Sequence, residues 1–217
     1  MTADSASINL THHFLIAMPG LEDAAFAKSV VYVCEHSERG ALGLVINKPS
    51  ELSMEGLFDK VDLPLHRQDL MTAPVLQGGP VHTERGFVLH DAMVIDVSAA
   101  TDTSEAAQES AALMAVSDKE SVYASTMTIP GGLEMTTSKD VLEALSMGAG
   151  PKRVLISLGY SAWGEGQLES ELAENSWLTV GADMAVIFDT PVDQRYERAM
   201  KLLGLESWML SSDVGHS

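Results

Sequence analysis

Apolar runs of strand length recur along the chain between turn-forming clusters, and helical stripes fall among them at irregular intervals. Leu10 to Met18 predicts a strand ended by Pro19-Gly20. Val30 to Cys34 and Ala41 to Ile46 predict a hairpin across the polar connector Glu35 to Gly40, with both strands covered on two faces because successive positions are apolar. Ser53 predicts an N-cap for a short helix whose Met54, Leu57, Phe58 and Val61 form one apolar face before Pro64. Val75 to Gln77 and Phe87 to His90 predict further strands, joined through Gly78-Gly79-Pro80 and Glu84-Arg85-Gly86.

Ser98 to Ser117 carries helix formers without a clear stripe and predicts an exposed helix or a mobile insertion. Val122 to Ile129 and Leu133 to Thr136 then read as strands around Pro130-Gly131-Gly132. A helix follows, capped by Thr137 or Ser138 and stopped at Gly148. Arg153 to Leu158 predicts a strand, Gly164 to Glu174 a helix, and Trp177 to Ala182 a last strand. Thr190-Pro191 opens the final helix, with Tyr196, Ala199, Met200 and Leu203 inward and Gly204 as its stop. This irregular order predicts an α+β fold in one domain over residues 10–210, with flexible ends at 1–9 and 211–217 and a variable insertion at 98–118. No internal repeat or linker interrupts it.

Composition narrows the partners. A chain of 217 residues can bury roughly 70% of its unfolded surface without disulfides or metals. The lone Cys34 and the absence of a basic n-region before a long apolar run predict a cytoplasmic protein. No apolar run has the length of a membrane span. The net charge of −18 predicts repulsion of nucleic acid and anionic lipid.

Four groups of residues bear on chemistry. Gly159-Tyr160-Ser161-Ala162-Trp163 falls between a predicted strand and a predicted helix, as a nucleophile elbow would, but Trp163 stands where the sharp turn needs glycine. Alternation places Cys34 and His36 on one side of a strand and Glu35 on the other; they could form a reactive pair or half a metal site, or a buried thiol beside a hydrogen-bonding imidazole. No second ligand pair has the spacing to complete a metal centre, and His12-His13, His82 and His90 can join them only through the fold. Gly78-Gly79-Pro80 and Gly164-Glu165-Gly166 could free the backbone for a ligand, but sheet bulging and helix entry explain them better. Glu165 and Glu169 read as two acids on one helix face, and Trp163, Trp177 and Trp208 as core or interface anchors.

Seven segments in order, His13 to Pro19, Ser29 to His36, Gly40 to Pro49, Gln77 to Val81, Arg85 to His90, Thr136 to Glu143 and Leu158 to Glu169, resemble the AlgH/YqgE-like family. The resemblance implies a single domain with a strongly curved mixed sheet, a partial barrel, flanked by helices, in a bacterial cytosolic protein. It brings no established activity; members are labelled transcriptional regulators through an association with alginate regulation. Family members can carry alanine in place of Ser161. Residues 99–119 do not follow the family pattern, and nothing is carried over there.

The expected function is therefore a non-enzymatic accessory or regulatory protein that binds a protein partner or a small ligand, with no cofactor and no metal. Candidate binding residues are Cys34, His36, Gly78, Gly79, Pro80, Arg85, His90, Tyr160, Trp163, Gly164 and Gly166. The alternatives are a hydrolase-like enzyme using Ser161 or Cys34 with His36, and direct DNA binding. The latter needs a basic face, and Lys152-Arg153 and Arg195, Arg198 and Lys201 are interleaved with acids.

Overall fold

In the computed structural model, which describes residues 8–93, 121–205 and 209, the apolar runs become strands β1 (His13–Ala17), β2 (Val30–Ser37) and β3 (Gly40–Val45). Alternation along β2 sends Val30, Tyr32 and Cys34 into one core and Val31 and Val33 into another, so this strand is covered on both faces as its pattern requires. After β4 (Pro49–Ser53), Ser53 Oγ accepts the Gly56 N–H and starts α1 (Met54–Lys60), which buries Met54, Leu57 and Phe58. Then come α2 (Gln68–Met71), β5 (Pro74–Gln77), β6 (Val81–Asp91), β7 (Thr126–Ile129), β8 (Leu133–Thr136) and α3 (Asp140–Ser146). β9 (Val154–Trp163), α4 (Gln167–Ala173), β10 (Trp177–Gly181), a π-turn at Ala185–Asp189, a 3-10 turn at Val192–Gln194 and α5 (Arg195–Leu202) complete the fold.

The strands form one sheet in the order β10-β1-β2-β3-β9-β6-β8-β7, with β5 against β9 and β4 against β5. It curls into a half-barrel flanked by helices, a single α+β domain. Among the described pairings only β5–β9 is parallel, which makes the sheet mixed. β9 carries the assembly: β3 holds Ser161 to Trp163, β5 holds Ser157 and Leu158, and β6 runs along its other edge. One core joins Phe14, Ile16, Tyr32 and Leu89 to the π-turn and α5; each such side chain contributes about 1.5–3 kcal/mol when fully buried. A second lies under α4, with Leu168 on Leu15, Val31 and Val33; a third lies under α1, α2 and α3.

Several boundaries differ from the sequence expectation. The β2–β3 strands extend through most of the connector, leaving Glu38-Arg39 as the turn. β6 absorbs Glu84-Arg85-Gly86, its register slipping between Val81 and Gly86. β7 begins at Thr126, not Val122. Neither Thr137 nor Ser138 stands at the cap position of α3, which Lys139 occupies without a capping bond; the Asp140 carboxylate in the first turn accepts the Ala124 and Val141 N–H groups. Thr190 does not open α5; its hydroxyl donates back to the Ala185 carbonyl and closes the π-turn. The readings at 98–118, at 211–217 and at Trp208 lie outside the described residues.

The tightest joint is the passage of Gly78 over β9. Gly78 N–H donates to the Leu158 carbonyl at 2.8 Å, and its own carbonyl accepts from Val45 N–H at 2.8 Å. A Cβ on Gly78 would collide with the Gly159 carbonyl oxygen and lie 2.7 Å from Ser157 Oγ, whereas a Cβ on Gly86 meets nothing within 4 Å. Gly78→Ala should therefore lower unfolding free energy in urea by about 2–3 kcal/mol, with Gly86→Ala within about 0.5 kcal/mol of the parent.

His12 supplies a pH-dependent contact. Its Nδ1 lies 3.0 Å from the Tyr32 hydroxyl, and burial first, then neighbouring His13, holds its pKa below the ordinary 6.5. Unfolding in acid therefore takes up a proton here, so the stability His12 contributes is complete above pH 6.5 and lost as pH falls through its folded value. Urea midpoints measured between pH 6.5 and 5 should decline, and His12→Gln should flatten that decline.

Candidate functional site

Where β5 leaves β9, the chain leaves a cavity of about 300 Å³. Its walls come from separate segments: Ala25 from the loop after β1, Lys48 just before β4 and Ser50 in it, Gln77 at the end of β5 with Gly79 and Pro80 after it, Thr83 on β6 and Leu158 on β9. Most of this lining is apolar, and Lys48 is its one charged residue. Lys48 Nζ donates to the Ala24 and Ala25 carbonyls at 3.2 and 2.7 Å, which fastens the first loop to the start of β4 and leaves its third N–H without a described partner. Burial lowers the Lys48 pKa from the usual lysine value, and Asp23 partly restores it. Gln77 Nε2 donates to the Pro49 carbonyl at 3.2 Å, which leaves its Oε1 as an acceptor at the mouth.

Of the sequence candidates, Gly79 and Pro80 line this cavity and Trp163 does not. Trp163 borders a shallower cleft of about 190 Å³ at the β2–β3 hairpin, with Glu35 and Arg39. Its indole and that of Trp177 both donate to Glu171 Oε2, at 2.9 and 2.7 Å, and Phe26 packs on both rings. Nothing in the local sequence marks Glu171 as their shared acceptor. Gly164 N–H is occupied by Gln167 Oε1 at 3.0 Å, and Gly166 takes the left-handed conformation that turns the chain into α4. Arg85 is exposed on β6, and Tyr160 stacks on His82 at 6.0 Å and leans on Phe87 at 5.2 Å.

The reactive candidates have other duties. A bulge between Val33 and Glu35 breaks the alternation of β2, so Cys34 enters one core while His36, paired with Ala41, faces the other. The expected same-side pair does not exist. Burial pushes the Cys34 thiol far above the ordinary cysteine value. His36 accepts the Leu10 N–H on Nδ1 at 3.0 Å and therefore donates from Nε2 to Glu169 at 2.9 Å, at the edge of a cavity of about 320 Å³ beside Asn9. Glu165 precedes α4 and does not share a helix face with Glu169. His90 is buried between the Asp91 carbonyl at 2.8 Å and the Thr136 hydroxyl at 3.0 Å.

Ser161 is not at a strand-to-helix turn. It lies inside β9 opposite Gly43, fully buried, with Oγ donating to the Gly78 carbonyl at 3.2 Å. β9 runs on through Trp163, which removes the elbow geometry altogether. Among the described residues no three His, Cys, Asp or Glu side chains cluster to hold a metal, and no helix is long and apolar enough to cross a membrane.

Comparison with known proteins bears on the family and the fold. The family model described as AlgH-like matches residues 14–208. A "UPF0301 protein" of Paracidovorax citrulli is 71% identical over 217 residues, 100% of both chains, and one from Polaromonas is 70% identical over the same span. The solution structure of the AlgH protein from Pseudomonas aeruginosa is 41% identical, covers 98% of each chain and superposes with a TM-score of 0.67. The crystal structure of a Corynebacterium diphtheriae protein, 17% identical over 94% of this chain and 92% of its own, has a TM-score of 0.63 and shares the fold. Full-length identity, a family match over most of the chain and a common curled sheet place one conclusion beyond the fold: the chain belongs to the AlgH-like family.

Proposed function

We propose that this protein is a non-enzymatic accessory or regulatory protein that binds a small ligand in the cavity between Lys48 and Pro80. One contrast supports the reading: Ser161, Cys34, His36 and His90 are all committed to packing or to structural hydrogen bonds, whereas Lys48 keeps a donor at an open, mostly apolar cavity. Two of the segments that carry the family resemblance, the one ending at Lys48-Pro49 and Gln77 to Val81, meet at that wall. A buried thiol of raised pKa also fits work in a reducing, cytoplasmic setting. Direct action on DNA has less support: the net charge is −18, and burial withdraws Arg195 from the small basic group on α5, leaving Arg198 and Lys201 beside Glu197.

Binding, complementation and turnover measurements test the proposal. Fragments of about ten non-hydrogen atoms, the number that fits if each takes roughly the 30 Å³ of a liquid water, should raise the melting temperature of the parent protein. Thr83→Trp, which fills the mouth from an exposed position, should abolish that response; a hit unaffected by Thr83→Trp would place binding elsewhere. For a hit that accepts a hydrogen bond from the ammonium, affinity should fall as pH rises toward 10.5, beginning earlier than for an ordinary lysine. Separately, Ser161→Ala and Cys34→Ser should restore growth or regulation in a deletion strain as well as the parent gene does. Turnover in an esterase, phosphatase and nucleotidase screen that either change removes would reverse the non-enzymatic reading.

A further inference from the structure

Arg195 presents a charge that no described carboxylate pairs with. It is the first residue of α5, only 7% exposed, and it lines a small cavity of about 90 Å³ together with Met54, Leu76, Ile156, Ile187 and Phe188. Its Nε donates to the Thr190 carbonyl at 3.0 Å and its Nη1 to the Ile46 carbonyl; Nη2 has no partner among the described residues. The neighbouring cation Arg153, which lies over the outer face of Phe188, is already bidentate on Asp91. Carbonyl dipoles satisfy donors, but they leave the net positive charge in a desolvated place, and burial lowers the Arg195 pKa to about 10 for that reason.

We infer that the Arg195 cavity is a binding site for a small monocarboxylate, separate from the Lys48 cavity. The outer edge of a guanidinium, with Nη2 unused, matches the two oxygens of a carboxylate. One cation balances one negative charge; a phosphate dianion would bring a second charge into walls built from methionine, leucine, isoleucine and phenylalanine. The volume corresponds to about three waters, or three non-hydrogen atoms on the same scale, so it takes only the short carbon tail of a carboxylate such as propionate, whose two oxygens stay at the open side on the guanidinium. The aliphatic and aromatic side chains of the lining accept that tail, while the polar half of its surface, which includes Arg195, faces the carboxylate.

The test is thermal melting of the full chain with propionate, against propionamide, sodium chloride and sodium sulfate at matched ionic strength. Propionate should raise the melting temperature with the logarithm of its concentration above its dissociation constant, by roughly 3–5 °C at tenfold excess, and should shift the Arg195 side-chain N–H resonances saturably in nitrogen-edited NMR. Propionamide, which keeps the shape and loses the charge, should bind at least about tenfold more weakly. Arg195→Met can fail to fold, since it also releases two carbonyls. Ala73→Leu, which fills the same cavity and keeps the Arg195 bonds, should then remove the propionate response while leaving the circular dichroism spectrum unchanged. Lys48→Met should keep it, which separates this site from the first cavity. Equal responses to propionate and propionamide, a response that survives Ala73→Leu, a larger response to sulfate, or resonances of Arg195 that stay fixed would each overturn the assignment.

Discussion

The structure depends on β9 being paired along its whole length. Its first half lies between β5 and β6 and its second half against β3, so one strand of ten residues ties the two ends of the sheet together. For β3 and β5 to share one edge of β9, the chain leaving β5 must pass within backbone contact of Gly159 and Tyr160, and only glycine at 78 and 79 permits that approach. Ser161 is drawn into the same joint through the Gly78 carbonyl, which explains why a serine sits there without acting as a nucleophile. An alanine at this position would remove one hydrogen bond, worth about 1 kcal/mol, and leave the joint itself in place.

Much of this was legible in the sequence where a feature is local. The Ser53 cap, the two-faced apolar pattern of β2 and the inward Tyr196, Ala199 and Met200 each follow from periodicity within a few residues. What escaped is non-local. The bulge at Cys34 arises because β2 has one residue more than β3 between Val33 and Glu35, and no run of residues in β2 alone announces it. That one residue turns His36 away from Cys34 and toward Glu169, which dissolves a dyad that strict alternation predicted. β9 likewise looked finished at Leu158, since Gly159 reads as a stop until its pairing partners are known.

The candidate site divides the same way. Gly79 and Pro80 were visible because a Gly-Gly-Pro run after a strand is unusual whatever its neighbours. Lys48 was not singled out, because its meaning lies in the Ala24 and Ala25 carbonyls and in Thr83, residues more than twenty positions away. Trp163 carried the clearest local signal and serves a structural purpose: Glu171 gathers both indoles and holds α4 on the sheet. Conspicuous residue types thus mark the packing, and the ordinary basic residues mark the cavities.

An acidic envelope and two partly desolvated cations follow from one electrostatic logic. With a net charge of −18, cations on the surface are attracted on every side and screened by water, so their positions carry little specificity. A cation withdrawn into an apolar wall is different: it loses hydration, and the nearby carbonyl dipoles orient it without cancelling its charge. The surrounding negative field lowers the energy of keeping such a charge buried, while it discourages multiply charged anions from approaching. Lys48 and Arg195 are therefore retained most readily if what they meet is small, in part apolar and at most singly charged, which matches a mostly apolar lining around Lys48 and a mixed one around Arg195.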